Sequence, residues 1–325
     1  MLRSAAILAL LLFLPGCLGS GPFESCKQDS WPTWQAGTQT ITVCSGREER
    51  AATLYIPQNV PALSPLLLML HGGGGSANQL RTSSEMDAVA DDLAFAVLYA
   101  DGTPSRIGNL RTWNALICCG RAFDEQTDDV AFLGQLLDGA LQRFPVDAQR
   151  IGVAGHSNGA MMAYRLAAER SDVVTSVMPV AGSIGGQVDE DSPIRTIASP
   201  DEPVSVFILH ARDDDHVPYD GGHGAAGVDG PRIDLSVEQA IQFWLDADSC
   251  PRVGPTLSSG NRPDGTRETS WGGCERGTVV YHIATTGGHG WPGSTSGCNP
   301  APAEPDASRE IGEFLLAHPR ATTVN

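Results

Sequence analysis

Lysine is almost absent from this chain, since Lys27 is the only one among 21 Lys and Arg residues. Against these stand 38 Asp and Glu residues, which give a formal net charge of -17 at pH 7. A field of that sign repels phosphate backbones and argues against nucleic-acid binding. The chain has 325 residues, 41% of them hydrophobic, so it can bury a sizeable core.

Long apolar runs are lacking as well. The longest covers ten residues, 5–14, whereas a membrane-spanning helix needs roughly 20, which excludes an integral membrane protein. This run follows Arg3 and ends in Leu14-Pro15-Gly16-Cys17, an order typical of an export signal over residues 1–16.

The end of this signal resembles a bacterial lipobox, in which cleavage leaves a cysteine that takes up lipid. Cys17 is therefore a candidate lipid attachment site that would hold the protein at a membrane surface without spanning it. Cleavage a little further on is the alternative, and it would release the protein freely. In both cases we expect an extracellular or cell-envelope location.

Eight cysteines occur, but no Cys-x-x-Cys pair is among them. That absence argues against a zinc site, and export makes disulfides the expected chemistry. The sequence-local bridges Cys26 with Cys44 and Cys250 with Cys274 are plausible, although connectivity does not follow from sequence. Without Cys17 seven cysteines remain, so one thiol or one unusual pairing is left over.

Apolar runs alternate with helical patterns along most of the chain. The strand-like runs are residues 52–56, 65–70, 95–99, 151–154, 173–180, 204–209 and 278–283. Several are solidly apolar, which is typical of strands buried on both faces of a mostly parallel sheet. Helices are predicted over residues 130–144, with Thr127 as N-cap, and from a capping box at Ser236. We therefore predict an α/β fold with helices on both faces of the sheet.

A chain of this length can fold as one large domain or two small ones. Residues 17–40 lack regular patterns and are predicted to form an irregular tether. No internal repeat or linker follows, so residues 41–325 are predicted to form one catalytic domain.

A Gly-x-Ser-x-Gly motif stands at Gly155-His156-Ser157-Asn158-Gly159. The bare motif is a weak signal, but it directly follows the run at 151–154 and opens a helical stretch at 160–168. A strand, a tight turn and a helix form the nucleophile elbow, in which flanking glycines permit a strained turn that presents the serine hydroxyl. Ser157 is the predicted nucleophile, and an ordinary glycine-rich turn is the alternative.

A nucleophilic serine needs a histidine base oriented by an acid, and in this fold the chain order is Ser, acid, His. His289 follows a predicted strand by six residues, inside a glycine-rich segment, and is the predicted base. The other candidate histidines fit this role less well. His216 and His223 are close in sequence to the acid instead of following the next strand, and His282 lies within a strand and His318 near the end of the last helix.

The acid should follow the strand at 204–209, where Asp213, Asp214 and Asp215 stand. One of them would orient the imidazole and the others would be solvated charge. The trio could also form a weak cation site. Periodicity does not choose among three adjacent aspartates.

The tetrahedral intermediate of acyl transfer needs two backbone donors for its oxyanion. His71-Gly72-Gly73-Gly74-Gly75 follows an apolar strand and matches the HGGG-type turn. We assign one donor to the Gly73 amide and the other to the amide of Asn158. A phosphate-cradling loop is the alternative, but no Gly-Lys-Ser/Thr follows and the net charge is wrong for it.

Further short blocks stand in order between residues 50 and 293. They are residues 70–77, 101–103, 113–114, 118–120, 128–130, 155–162 and 288–293. Together they resemble the secreted poly(3-hydroxybutyrate) depolymerase family of esterases, close to the feruloyl and acetylxylan esterases of carbohydrate esterase family 1. The resemblance implies an α/β-hydrolase fold and a serine carboxylic-ester hydrolase without a cofactor.

In that family the acid lies four residues after a histidine and four before Pro-Tyr. Both counts, from His210 and from Pro218-Tyr219, lead to Asp214. The resemblance also suggests a disulfide at Cys118-Cys119 that braces the rim of the site, with Cys298 as a candidate partner.

Trp113 and Trp291 lie beside these blocks, and their rings would suit the acyl or sugar part of a substrate. Core packing is the alternative for both.

Two departures from the family pattern limit which family properties can be expected here. The sequence contains no polymer-binding domain, which puts adsorption to crystalline polyester in doubt, and Gly73 stands where the family often has cysteine.

The resulting hypothesis is an exported serine esterase of the polyhydroxybutyrate depolymerase type that uses Ser157, Asp214 and His289. Its partner would be a polyester, oligoester or acylated polysaccharide, and membrane contact would come only through the lipid. A feruloyl or acetylxylan esterase is the nearest alternative. A peptidase or a non-catalytic surface-binding protein on the same fold is a more distant one.

Overall fold

The computed structural model describes residues 26, 28–46, 48–106, 110–224, 231–253, 257–274, 278–294 and 305–320. The predicted export signal, Cys17 and Cys298 lie outside the described residues. Within the described ranges, no helix has both the length and the apolar character that crossing a bilayer requires.

The strands and helices follow one another in the alternation that the sequence predicts. The strands are β1 (Gly37–Ser45), β2 (Glu48–Ile56), β3 (Ser64–Leu70), β4 (Ala96–Ala100), β5 (Thr103–Pro104), β6 (Arg111–Thr112), β7 (Val146–His156), β8 (Ser176–Val180), β9 (Gly185–Gln187), β10 (Arg195–Thr196), β11 (Ser205–Ala211), β12 (Gly222–His223), β13 (Ile233–Asp234), β14 (Leu257–Asn261), β15 (Arg267–Trp271) and β16 (Val280–Thr285). The helices are α1 (Ala77–Ser84), α2 (Met86–Leu93), α3 (Gly120–Asp124), α4 (Asp129–Arg143), α5 (Asn158–Glu169), α6 (Val237–Ala247) and α7 (Ala307–Ala317).

Ten strands form the central sheet, in the order β1-β2-β4-β3-β7-β8-β11-β16-β15-β14. Neighbours from β4 to β16 are parallel, and antiparallel strands flank them on both sides. Strands β3, β4, β8 and β11 are buried along their whole length, as their apolar runs require. The parallel strands therefore end at one common edge of the sheet.

Helices cover both faces of this sheet, as predicted. Alternate residues of β3 show the division, since Leu66 and Leu68 belong to one apolar cluster and Leu67 and Met69 to another. Helices α4, α5 and α6 pack into the first cluster, and α1, α2 and α7 pack into the second. The predicted capping box at Ser236 is present, whereas the N-cap of α4 is Asp128 instead of Thr127, because the Asp128 carboxylate accepts the Ala131 amide.

The N-terminal boundary differs from the expected one. Strand β1 already begins at Gly37, so the end of the predicted tether at residue 40 falls inside the sheet. The residues before it pack on the domain as well, with the rings of Trp31 and Trp34 5.7 and 5.2 Å from the ring of Phe144. Aromatic packing thus extends the domain in the N-terminal direction.

Both sequence-local disulfides form, between Cys26 and Cys44 and between Cys250 and Cys274. The bridge suggested at the rim forms between Cys118 and Cys119 themselves. Cys298, the other partner considered for this bridge, lies outside the described residues, so its pairing stays a prediction.

Candidate active site

Ser157 stands at the junction of β7 and α5. Its φ and ψ angles of 54° and -122° are a strained conformation for a residue with a side chain. The turn is also tight, since a Cβ atom on Gly155 would lie 2.3 Å from the Gly159 carbonyl oxygen and one on Gly159 would lie 2.2 Å from that of Leu70. The glycines of the motif therefore have a steric reason, and the geometry is that of a nucleophile elbow.

The structure brings the three residues of the predicted triad together at the edge where the parallel strands end. His289 Nε2 lies 2.8 Å from Ser157 Oγ, and His289 Nδ1 lies 2.8 and 3.0 Å from the two carboxylate oxygens of Asp214. Since a carboxylate only accepts, Nδ1 carries the proton and Nε2 is free to accept one from the hydroxyl. His289 can therefore take the hydroxyl proton of Ser157 at Nε2.

Asp214 is buried and surrounded by donors. Its Oδ1 accepts the amides of His216 and Val217, at 2.9 and 3.0 Å, and His210 Nε2 lies 3.4 Å from Oδ2. Burial alone would raise the pKa of this carboxyl, but the hydrogen bonds from His210 and His289, and the charge that His289 carries once it is protonated, together outweigh burial and hold the pKa well below its usual range. Asp214 is therefore ionised when it faces the imidazole.

The two neighbouring aspartates have partners of their own. Asp213 accepts the amides of Gly287 and Gly288, at 2.9 and 3.2 Å, in the turn that precedes His289. Asp215 lies 2.8 Å from Nδ1 of His216. Both carboxylates are exposed, as the sequence predicted. They are more than solvated charge, however, because each one binds a segment of the site.

The alternative of a cation site has a structural counterpart. Asp214, Asp215 and His216 each place one potential ligand atom within 4.8 Å of the others. The hydrogen bonds just described already engage those groups, with Asp214 on His289 and two amides and Asp215 on His216. Hydrogen bonding therefore accounts for the cluster.

The glycine turn after β3 lies beside the elbow. The amides of Gly74 and Gly75 donate to the carbonyls of Arg111 and Gly72, at 2.8 and 3.0 Å, whereas the Gly73 amide makes no hydrogen bond to a described residue. The Asn158 amide, at the first position of α5, has no acceptor within the helix. A Cβ atom on Gly73 would lie 3.7 Å from Asn158 Cβ, so the two predicted oxyanion donors are neighbours.

His71 holds this turn in place as a neutral imidazole. Its Nδ1 donates to the Gly72 carbonyl at 2.8 Å, and its Nε2 accepts the Gly102 amide at 3.0 Å. Burial lowers the pKa of His71 to about 4. Because one nitrogen donates and the other accepts, the neutral form is the one that fits.

Trp113 does not contact the cavity, contrary to its predicted role in substrate binding. It is 0% exposed, and its Nε1 donates to the His71 carbonyl at 2.9 Å. Its backbone clamps Asn158, whose Oδ1 accepts the Trp113 amide at 2.8 Å and whose Nδ2 donates to the Trp113 carbonyl at 3.0 Å. Core packing, the alternative for Trp113, is what the structure supports.

A cavity of about 440 Å³ opens above Ser157. Trp291 lines it and is anchored by its Nε1, which donates to Ser308 Oγ at 3.0 Å. The glycine turn, Met161 and the Cys118–Cys119 bridge line it too. The site thus offers a nucleophile, a base and backbone donors around a space that holds a small acyl group and part of its alcohol.

A mostly parallel sheet with a strained serine elbow, and with an acid and a histidine after later strands, defines the α/β-hydrolase class. Residues 51–203 match the sequence model of the family described as Esterase PHB depolymerase. The matched segment contains the glycine turn and Ser157. The protein is a serine esterase, and over the matched residues its sequence is similar to this family.

Individual proteins agree with that assignment. NocK of Nocardia uniformis subsp. tsuyamanensis, which is named as an esterase, is 29% identical over 92% of both chains. The bifunctional acetylxylan esterase/xylanase XynS20E of Neocallimastix patriciarum is 24% identical over 81% of this chain and 36% of its own length. The fold is shared with the acetyl xylan esterase of Aspergillus awamori, at 14% identity and a TM-score of 0.58 over 86% of this chain and all of the other.

Proposed function

We propose that the protein hydrolyses carboxylic esters through an acyl-enzyme formed on Ser157, with His289 as base and Asp214 as the acid that orients it. The observation that carries this proposal is the position of the His289 ring, 2.8 Å from both Ser157 Oγ and an Asp214 oxygen. That spacing suits proton transfer at one nitrogen while the other is held.

In the first step Ser157 Oγ attacks the ester carbonyl carbon, and the hydroxyl proton passes to His289 Nε2. The carbonyl oxygen becomes an oxyanion that the amides of Gly73 and Asn158 stabilise, at roughly 3 kcal/mol per donor. The C–O bond to the alcohol then breaks, and His289 returns the proton to the leaving oxygen. Water repeats the sequence on the acyl-enzyme, which releases the acid and restores Ser157.

For the substrate we propose a polyester or oligoester of hydroxy acids, in keeping with the family match over residues 51–203. An acetylated or feruloylated polysaccharide is the second candidate, because relatives from Neocallimastix patriciarum and Coprinopsis cinerea are named acetylxylan esterases. In both cases the part of Trp291 that lines the cavity is the aromatic contact that the substrate would meet, although the residue is only 5% exposed and packs in the second apolar cluster.

The test is acid release by the purified protein from p-nitrophenyl acetate and butyrate, methyl ferulate, acetylated xylan and amorphous polyhydroxybutyrate. Ser157→Ala, the control, should lower kcat by roughly a million-fold, as triad removal does in other serine hydrolases. Hydroxybutyrate release supports the polyester, and acetate or ferulate release supports the polysaccharide ester. Hydrolysis that survives Ser157→Ala would remove Ser157 from the mechanism, and hydrolysis of none of these esters would favour a non-catalytic binding role.

We further propose export, directed by residues 1–16, with lipid on Cys17. Disulfides between Cys26 and Cys44 and between Cys250 and Cys274 support an oxidising location. In a bacterial host, Cys17→Ser should move the protein from the membrane fraction to the soluble fraction and abolish labelling by a tagged fatty acid. A wild-type protein without label would favour cleavage further on.

A further inference from the structure

A second imidazole lies against the predicted base. The rings of His216 and His289 are 4.8 Å apart between centroids and only 14° from parallel. The His216 side chain is 31% exposed and that of His289 9%, so His216 lies on the solvent side. His216 makes no hydrogen bond to Ser157 among the described contacts, and the proposed chemistry does not use it.

Three contacts fix His216 in this position. Its amide donates to Asp214 Oδ1 at 2.9 Å, and its Nδ1 lies 2.8 Å from Asp215. Its carbonyl accepts from Arg232 Nη2 at 3.4 Å, and the buried Arg232 is itself paired with Asp234 at 2.9 Å. Contacts of the His216 backbone and of its ring therefore both hold the imidazole in place.

The contact with Asp215 repeats the contact of the triad. His289 faces Asp214 through Nδ1 at 2.8 Å, and His216 faces Asp215 through Nδ1 at the same distance. Two neighbouring carboxylates thus orient two neighbouring rings that stack on each other. The chain segment from Asp214 to His216 supplies both carboxylates and one of the rings.

The other neighbour of the base is His156, whose ring centroid is 5.0 Å from that of His289 at an angle of 40°. Burial lowers the pKa of His156 to about 3, so this neighbour is neutral. His289 has to keep Nε2 directed at Ser157 while it gains and loses a proton. Rings packed against it hinder rotation of the imidazole.

We propose that His216, oriented by Asp215, is a positioning residue that stacks on His289 and keeps its ring aligned with Ser157. This inference rests on the proposed triad and adds a residue to its support. His216 also lines the cavity above Ser157. Because its ring stacks on the base, its removal should lower kcat more than it changes KM.

The experiment compares His216→Ala and His216→Phe in hydrolysis of p-nitrophenyl acetate. Loss of a stacked ring should reduce kcat about fivefold in His216→Ala with KM within about twofold, and the phenyl ring of His216→Phe should restore kcat to within about twofold of the wild type. His223→Ala is the matched control, because this exposed histidine of the same region pairs only with Glu190, at 3.6 Å, among its described contacts. It should behave as the wild type.

A kcat of His216→Ala within twofold of the wild type overturns the proposal, and so does a kcat of His216→Phe that is as low as that of His216→Ala. Thermal unfolding of each variant shows whether a loss of kcat reflects loss of folded protein. Ser157→Ala in the same assay distinguishes failure of the positioning role from failure of the proposed triad. If it abolishes turnover while the His216 variants are fully active, only the positioning role fails, and if it is active, the proposed triad fails.

Discussion

The two sides of the cavity are held by different kinds of contact. We name them after their proposed roles, the oxyanion side around Gly73 and Asn158 and the base side around His289. On the oxyanion side the Asn158 side chain bonds the amide and carbonyl of Trp113, and the turn is closed by amide-to-carbonyl bonds of Gly74 and Gly75. On the base side Asp213, Asp214 and Asp215 each bind a different part of the segments that carry His216 and His289.

Because of this difference, we expect each side to be sensitive to a different kind of substitution. Neutral amides, glycines and the neutral imidazole of His71 hold the oxyanion side, so near neutral pH it should be sensitive to side-chain size and to unpaired buried groups. Carboxylates and imidazoles hold the base side, so it should be sensitive to changes of charge and protonation. The predictions below test this division, from the largest expected effect to the smallest.

The largest effect is expected for Asp214→Asn on the base side. An amide in this position keeps the size of the side chain but removes the charge that holds Nδ1 protonated, and in another serine hydrolase this change lowers kcat about 10⁴-fold. Asp215→Asn is the matched comparison, since Asp215 is exposed and contacts only the neighbouring ring of His216 among its described partners, and it should lose no more than the roughly fivefold expected for His216→Ala. Equal losses in steady-state kinetics of the two variants would contradict the assignment of Asp214.

On the oxyanion side, Asn158→Ala should lower kcat on the order of 10²-fold although the backbone donor is retained. The substitution leaves the amide and carbonyl of the buried Trp113 without their partners and loosens the elbow. The pH profile of kcat/KM should keep its shape, because no charge is changed. A shifted profile would show that the two sides are not separate.

Acid sensitivity should come from buried neutral histidines such as His282 in β16. Burial, followed by the charges of His210 and Arg212, lowers the pKa of His282 to about 3. The unfolded chain therefore binds this proton near pH 6.5 and the folded one does not, so the free energy of unfolding falls as pH drops below 6.5. His282→Gln should remove about 2 kcal/mol of the loss between pH 7 and 5, as measured by urea unfolding at both values.

The smallest effect is expected for Asp213→Asn. Its carboxylate holds the amides of Gly287 and Gly288 from an exposed position, so replacement by a neutral acceptor should weaken the turn before His289 and lower kcat about threefold. Steady-state kinetics of the variant and of the wild type give the comparison. An unchanged kcat would mean that the turn before His289 keeps its conformation without the Asp213 carboxylate.

Sequence predicted the parallel core and the candidate triad because each depends on local signals. Solid apolar runs mark β3 and β11, and a glycine-flanked serine after an apolar strand marks the elbow. The outer hairpin of β14 and β15 gave no such signal, because its residues are polar and largely exposed. Its place at the sheet edge is set by pairing with β16.

The contacts around the triad were beyond the sequence for a related reason. Its place beside a family motif suggested that Trp113 contacts the substrate. In the structure Trp113 is buried, and its backbone binds the Asn158 side chain instead. His216 was recognised only as close in sequence to the acid. Its stacking on His289 depends on how the segments after β11 and β16 fold toward each other, and a run of three aspartates followed by histidine does not encode that.

The most direct test of the central claim is labelling of the wild type, Ser157→Ala and His289→Gln by a fluorophosphonate, followed by intact mass and peptide mapping. The account predicts one adduct per wild-type chain, on the peptide that contains Ser157, with fluoride released. It predicts no adduct in Ser157→Ala and strongly slowed labelling in His289→Gln. An adduct on another residue, or equally fast labelling of His289→Gln, would contradict a Ser157 activated by His289.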